Sequence, residues 1–434
     1  FVLHTARTLS FHHTYCLCIN SRFSIKWITL GVAKMEDIVK KAIANELALT
    51  NPEKIDICQI KSSAGSTSLD NFLSQLDAVE VKVRIPGESR ESFHYVVKGM
   101  SKENEEFIKK LLVFEKEVNI YKTFLPLLQK MGDKVGLRAP KCYYSSKSVP
   151  VVVMEDLKMK GYSMMSPKFG MKETHIKWAL DQFARLHAYS HALMTNNSDK
   201  EQELTEILRM KEDLDVSAVL ALHESIYKGQ VKALEHGGRK DLAERFEAVI
   251  PQAEYVIRSA FKNFDSNFCV INHGDGWTNN FMFKHDKEGN LEDGVILDWQ
   301  FPFYSSPVKD LAIFFGFSIS PKERKEHTKS YLRFYYDRLS FHMDVLGLDV
   351  SQLYPFESMI QEYEDKYPIL YFLTAQMLPI FYMKSSIPED DKVPIDISSE
   401  RCTSMWEELI LKIAKKDPYF FNVLIEFHEE AATK

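Results

Sequence analysis

One stretch constrains this chain more than any other: two apolar runs joined by a polar loop with fixed spacing. Val270-Ile271-Asn272 leads into His273-Gly274-Asp275-Gly276-Trp277-Thr278-Asn279-Asn280, and Phe281-Met282-Phe283 follows at once. After a polar turn, Val295-Ile296-Leu297 ends on Asp298. Short apolar runs bounded by Gly, Asn and Asp read as buried strands. Val295-Ile296-Leu297 is such a run, a buried strand that would hold Asp298 rigidly at its end. Asn280 stands five residues after Asp275, and Asp298 eighteen after Asn280.

That order supplies one carboxylate to orient a hydroxyl, and an amide and a second carboxylate as hard oxygen ligands for magnesium. Phosphoryl transfer needs such a set, because the protein's work there is positioning and charge neutralisation. Any one of these residues alone is the ordinary content of a turn or a cap. The ordered set carries the reading. His273 is expected to hold the loop by packing and hydrogen bonding rather than to act as an acid or base.

Two further elements fit. Lys98 ends a Val-Val-Lys run, and Glu117 lies nineteen residues later at the edge of an apolar helix face. A strand lysine paired with a glutamate of the next helix grips the α- and β-phosphates of a nucleotide. Glu115 is the alternative partner. The run Ser62-Ser63-Ala64-Gly65-Ser66-Thr67-Ser68 is a candidate phosphate-covering turn, with Gly65 and Ser66 as its contacts. It lacks a G-x-G-x-x-G pattern, so an ordinary Ser-rich turn competes with that reading.

The rest of the chain divides into two parts. Val79, Val81, Val83 and Ile85 alternate with Glu80, Lys82 and Arg84, which predicts a half-buried strand. Strands are also expected at Phe93–Met100, Lys141–Tyr144 and Val151–Met154. A short helix is expected over residues 36–49, and a long amphipathic one over about Glu103–Leu125, with Phe107, Leu111, Phe114, Val118, Tyr121 and Leu125 on one face. Helices dominate after Gly161: Thr174–Leu193, most of 201–262, and most of the chain from Pro321 onward. His187, on the first of these among Ala184, Leu186 and Ala188, reads as structural. The expected organisation is an N-lobe at 35–158 and a C-lobe at 159–434. Residues 1–34 hold no Asp or Glu and resemble a transit peptide. The favoured reading is a start at Met35 with upstream sequence before it, and residues 1–34 are left out of the expected fold.

Charge and cysteine content exclude several classes. A net charge of −6, with both signs mixed along the chain, argues against nucleic acid and against a polybasic membrane surface. No apolar run is long enough for a membrane span; Tyr367–Met383 comes closest and is expected as a buried helix. Six cysteines without a C-x-x-C pair suggest reduced thiols and a cytoplasmic protein.

The combination of His273-Gly274-Asp275 with Asn280 resembles the catalytic motif of aminoglycoside phosphotransferases and choline kinases. Trp277, the doubled Asn279-Asn280, Phe281-Met282-Phe283 and Asp298-Trp299-Gln300 are closest to the ecdysteroid kinase-like (CHK kinase-like) family of insects. Short blocks at Asn71–Ser74, Pro140–Tyr143 and Glu155–Leu157, with Pro307 and Asp310-Leu311, extend the resemblance over about residues 45–430. It implies an α+β, two-lobed protein-kinase-like fold. It also implies Asp275 as catalytic base, Asn280 and Asp298 as magnesium ligands, and Lys98 with Glu117 as the phosphate pair. The Glu155 carbonyl and the Leu157 N–H would contact adenine, and Asp310 would brace the catalytic loop. Gly276 stands where the family usually has Leu, a change expected to loosen that turn.

The implied activity is ATP- and Mg2+-dependent phosphorylation of a hydroxyl on a small molecule, an ecdysteroid or a similar apolar compound. Tyr363, Tyr367, Tyr371, Phe372, Met377, Phe381, Tyr382 and Met383 are candidates for its pocket, and otherwise core. The competing expectations are a kinase of xenobiotics or phenols and a non-catalytic ligand-binding pseudokinase. A protein kinase fits less well, since no Ala-Pro-Glu follows and only twelve residues separate Asp298 from Asp310. The sequence leaves the oligomeric state open.

Overall fold

The computed structural model describes residues 32–65, 74–100, 109, 112–132, 135–165, 170–195, 204–205, 208, 217–260, 266–386 and 400–433. Alternation builds its first layer. In β2 (Ser74–Arg84) the side chains of Val79, Val81 and Val83 are buried while Lys82 and Arg84 are exposed. This strand pairs with β1 (Asp56–Ala64) and β3 (Ser92–Met100), and β3 with β5 (Val151–Glu155), which also pairs with β4 (Cys142–Ser146). The result is a five-stranded antiparallel sheet in the order β1-β2-β3-β5-β4. The edge strand β1 was not expected: it is polar and mostly exposed, and only its pairing to β2 marks it.

One face of the sheet is dry. Ile38, Val39, Ala42 and Ile43 of helix α1 (Val32–Glu46) bury against Val79, Val81, Val83, Tyr95, Val97, Val151 and Val153. This helix starts at Val32, inside the segment expected to lie outside the fold. The opposite face carries Val96, Lys98, Val152 and Met154 toward the second helix, because side chains alternate across a strand.

That helix, α2, runs through Val113–Asn119, a π-helical turn Ile120–Phe124 and Leu125–Gln129. Phe114, Val118, Tyr121 and Leu125 are buried, as the periodicity predicts. It is not the uninterrupted helix expected. Leu112 at its start has φ 56°, a left-handed conformation uncommon for leucine, which stops the helix there. Residues 101–108, 110 and 111, with Phe107 and Leu111, lie outside the described residues.

The second part is mainly helical. Helix α3 (Glu173–Thr195) precedes α4 (Ser217–His236), α5 (Lys240–Val249) and α6 (Ala253–Ala260). Two small sheets then interrupt it. One pairs β7 (Val270–Asn272) with β10 (Phe303–Ser305), and the other orders β6 (Ser163–Met164), β8 (Phe281–His285) and β9 (Leu291–Ile296) as β6-β8-β9. Helices α7 (Val308–Ser318), α8 (Pro321–Val345), α9 (Val350–Leu353), α10 (Phe356–Asp365), α11 (Tyr367–Ser386), α12 (Glu400–Lys416) and α13 (Pro418–Ala431) complete the chain. Their core holds the loops of the small sheets from below. Phe183 of α3, Phe281 of β8 and Phe314 of α7 meet edge to face at 5.5–6.0 Å. The whole is an α+β arrangement, a β-rich N-terminal part followed by a mainly helical one, as the sequence implied.

Asp77 sits among the buried valines of β2. Burial pushes its carboxyl up to about 6, against the pull of a hydrogen bond from Gln75. Its folded value lies above the unfolded one. The stability it contributes is therefore full below about pH 4 and is lost as pH rises through about 6. Asp77→Asn should stabilise the protein by about 2 kcal/mol near neutral pH and do little in acid. Melting curves at both pH values check this, and an equal change at both would contradict it.

Candidate active site

The loop between β7 and β8 is fixed by a carboxylate from below. Asp310, fully buried in the first turn of α7, accepts from His273 N at 2.7 Å and from Gly274 N at 2.8 Å. His187 of α3 donates from Nε2 to the same carboxylate at 3.1 Å, and its Nδ1 accepts from the Tyr335 hydroxyl at 2.7 Å. Hydrogen bonds to a charged group contribute roughly 1.5–3 kcal/mol each, and the helix N-terminus favours the negative charge. Asn272 closes the unit by accepting from Asp310 N at 3.2 Å.

His273 is a strut. Its Nε2 donates to the Leu297 carbonyl at 2.9 Å, and its Nδ1 accepts from Asp275 N at 3.3 Å. Those partners require the neutral Nε2–H tautomer. Burial, which lowers the pKa of His273, favours the same neutral form. The ring also packs edge-on against the buried Trp299 at 4.6 Å.

Gly274 and Gly276 are demanded by their surroundings. Gly274 has φ 80°, and a Cβ there would lie 1.9 Å from the Phe301 carbonyl oxygen. A Cβ on Gly276 would lie 2.4 Å from the Phe183 ring. The turn at Gly276 is therefore not loosened by the missing side chain, because Phe183 fills the space.

Asp275, Asn280 and Asp298 come together above this base. Asn280 Nδ2 donates to the Asp275 carbonyl at 2.7 Å and to Asp275 Oδ2 at 2.8 Å. Its donors are thus directed at Asp275, and Oδ1 remains as an acceptor. Leu297 N donates to the Asn280 carbonyl at 2.8 Å, which sets Asp298 beside Asn280. Asp298 itself has φ 60°, a left-handed conformation that Asp tolerates better than most residues. Burial, and then the charge of Asp298, raise the Asp275 pKa well above the ordinary carboxylate range.

The sheet contributes the only lysine bound to this group among the described residues. Lys98 Nζ donates to Glu117 Oε1 at 2.8 Å and to Asp298 Oδ1 at 2.7 Å. Lys98 is 2% exposed and Glu117 fully buried. Burial opposes the charge on Lys98, but Asp298 and Glu117 outweigh it and raise its pKa. Glu117, not Glu115, is the partner.

Glu155 and Leu157 lie where the sheet meets the C-terminal part. Glu155 ends β5 opposite Tyr95; its side chain accepts from Lys141 N at 2.8 Å and pairs with Lys160. Leu157 clusters with Met282, Val295, Tyr162 and Leu297. Sequence reasoning missed this apolar patch; the apolar runs Phe281-Met282-Phe283 and Val295-Ile296-Leu297 were its available signal. Gly65 is placed differently from expectation. Its N–H is spent on the Leu76 carbonyl at 2.9 Å, and its carbonyl accepts from Lys158 Nζ at 2.9 Å. It offers no free amide to a phosphate here, and Ser66 lies outside the described residues.

The described aromatic side chains of α10 and α11 lie elsewhere. Tyr363, Tyr367, Tyr371 and Phe372 border a separate cavity of about 570 Å3 with Phe246 and His428. Tyr363 packs on Phe315, while the neighbouring Phe314 faces Phe183 and Phe281. Met377 is partly buried against the second core cluster; the side chains of Phe381, Tyr382 and Met383 lie outside the described residues. The aromatic pair beside Asp275 is instead Trp277 and Phe317, edge to face at 6.2 Å.

The donor set fits a hard divalent ion. Asn280 Oδ1 and the Asp298 carboxylate are oxygen ligands, and the cluster of carboxylates around them carries excess negative charge. Among the described residues no group of three or more His, Cys, Asp or Glu is placed to hold a metal. Magnesium needs no such cage, since it keeps waters and takes phosphate oxygens. Among the described residues no helix is long and apolar enough to cross a membrane.

A model of the ecdysteroid kinase-like family matches residues 68–348. A search of curated proteins gives no match. Solved structures that resemble the chain include an ethanolamine kinase of Plasmodium vivax, at 14% identity over 90% of each chain and a TM-score of 0.38. A putative aminoglycoside phosphotransferase from Ralstonia eutropha is 13% identical over 82% of this chain and 93% of that one, with a TM-score of 0.40. Choline kinase LicA from Streptococcus pneumoniae is 15% identical over 88% and 99%, with a TM-score of 0.34.

Gly274→Ala should cost at least about 2 kcal/mol, since the new methyl meets main chain rather than a flexible side chain. Chemical denaturation measures it. A variant as stable as the parent would show that the loop is not held as described.

Proposed function

The chain belongs to the ecdysteroid kinase-like family, and from that premise we propose that it is an ATP- and magnesium-dependent kinase of a small hydroxylated molecule. The observation that carries this reading is the convergence of Lys98, Glu117, Asp275, Asn280 and Asp298 on one cleft. Asp275 Oδ2 is held by Asn280, so Oδ1 is the atom that accepts the proton of the attacking hydroxyl. Lys98, fixed by Glu117, holds the α- and β-phosphates. Asn280 and Asp298 hold magnesium. ATP and magnesium, once bound, supply the phosphoryl group and the positive charge that offsets the phosphates. The hinge contacts to adenine are the Glu155 carbonyl and the Leu157 N–H, with Leu157, Met282 and Val295 as an apolar floor.

The acceptor is an ecdysteroid or a similar apolar alcohol. Trp277 stands two residues beyond Asp275 and pairs with Phe317, which offers a ring compound an aromatic wall. The protein works in the cytoplasm without nucleic acid or membrane partners.

Purified protein with Mg-ATP should convert an ecdysteroid to a product heavier by one phosphoryl group, read by mass. Asp275→Asn should lower the rate at least about 1000-fold, in the range seen when a general base is removed, while nucleotide binding persists. A product with plant phenols alone keeps the chemistry and moves the role to detoxification. Nucleotide binding without turnover of any acceptor points to a ligand-binding protein. Failure to bind ATP at all would sink the proposal.

A further inference from the structure

Asp298 is claimed by two cations. One is Lys98, whose Nζ lies 2.7 Å from Asp298 Oδ1 and is also bound to Glu117 at 2.8 Å. The other is the metal of the proposed reaction, and the inference rests on that assignment. A divalent ion on the same carboxylate would lie roughly 4–5 Å from the ammonium, given metal–oxygen distances of about 2.1 Å. Two cations that close repel strongly where water is excluded. Lys98 is almost wholly buried, so solvent cannot take over its charge. Of its two anionic partners, Glu117 is buried on α2 and Asp298 is the one at the cleft.

We propose that Lys98 keeps free divalent cations off Asp298 until a nucleotide arrives. In the nucleotide-free protein the Asp298 charge is already matched. Asn280 cannot compensate, because its one remaining oxygen is neutral and its amide is committed to Asp275. Nucleotide phosphates give Lys98 a new anionic partner on the cleft side. Its hold on Asp298 then loosens, and the carboxylate turns to the ion. Metal and nucleotide therefore bind with positive coupling, and each raises the other's affinity by the same factor. The contact also joins the sheet to the loop that carries Asp298.

The test is Mn2+ binding to the whole chain without nucleotide, read from the paramagnetic resonance signal of the free ion. Lys98→Met should bind Mn2+ at least about tenfold tighter than the parent, and adding Asp298→Asn should abolish the gain. Lys98→Met leaves Glu117 buried without its partner, so the double variant Lys98→Met/Glu117→Gln provides a version without that stranded charge and should show the same gain. Affinity for a non-hydrolysable ATP analogue, measured with Mn2+ and with chelator, should depend on the ion more in the parent than in either variant. Equal Mn2+ affinity in parent and variants, with binding still lost in Asp298→Asn, overturns the inference and leaves the proposed function standing. Nucleotide binding that responds to Mn2+ identically in parent and Asp298→Asn overturns both.

Discussion

The Asp310 carboxylate is the contact on which the site depends. It accepts two successive main-chain amides, those of His273 and Gly274, and one imidazole N–H from His187. Loop amides buried without partners would cost about 1–3 kcal/mol each, so the loop has one stable seat. That seat lies on the first turn of α7, whose Phe314 packs against α3 and β8. Core packing is thereby passed directly to the position of Asp275. The two glycines belong to the same device. Gly274 lets the chain pass against Phe301, and Gly276 lets Phe183 close the turn from beneath.

Above that seat the problem is charge. Asp275, Asp298 and Glu117 gather in a cleft where Lys98 is the cation that the structure places between them. Burial first, and then the neighbouring charge of Asp298, raises the pKa of Asp275. A buried carboxylate cluster is costly to keep. It becomes useful when a substrate brings its own cations, and a metal-bound triphosphate is a substrate of that kind. Under the proposed function, Lys98 is the group that would change partners when such a ligand binds.

Much of this was legible in the sequence, for definite reasons. The spacing of Asp275, Asn280 and Asp298 could be read because Asp275 and Asn280 sit in one polar stretch and Val295-Ile296-Leu297 is an apolar run that ends at Asp298. Lys98 and Glu117 could be paired because a lysine at the end of a strand and a glutamate at the edge of the next helix's apolar face are the parts of a phosphate grip. The edge strand β1 could not be read, since its residues are polar and only hydrogen bonds to β2 define it. The break at Leu112 has no signal in residue type. Gly65 misled because a glycine between serines looks the same whether its amide is free or, as here, already used by a neighbouring strand. The Tyr and Phe run of α10 and α11 was open to two readings, pocket or core, and Tyr363 and Phe372 are buried core residues here.

The most direct test of the account is a crystal structure with magnesium, a non-hydrolysable ATP analogue and an acceptor alcohol. The account places the ion within about 2.1 Å of Asn280 Oδ1 and an Asp298 oxygen. It places Lys98 on the phosphates and the acceptor hydroxyl within hydrogen-bond reach of Asp275 Oδ1. An ion bound away from Asn280 and Asp298, or an alcohol seated in the aromatic cavity behind α7 and out of reach of Asp275, would contradict it.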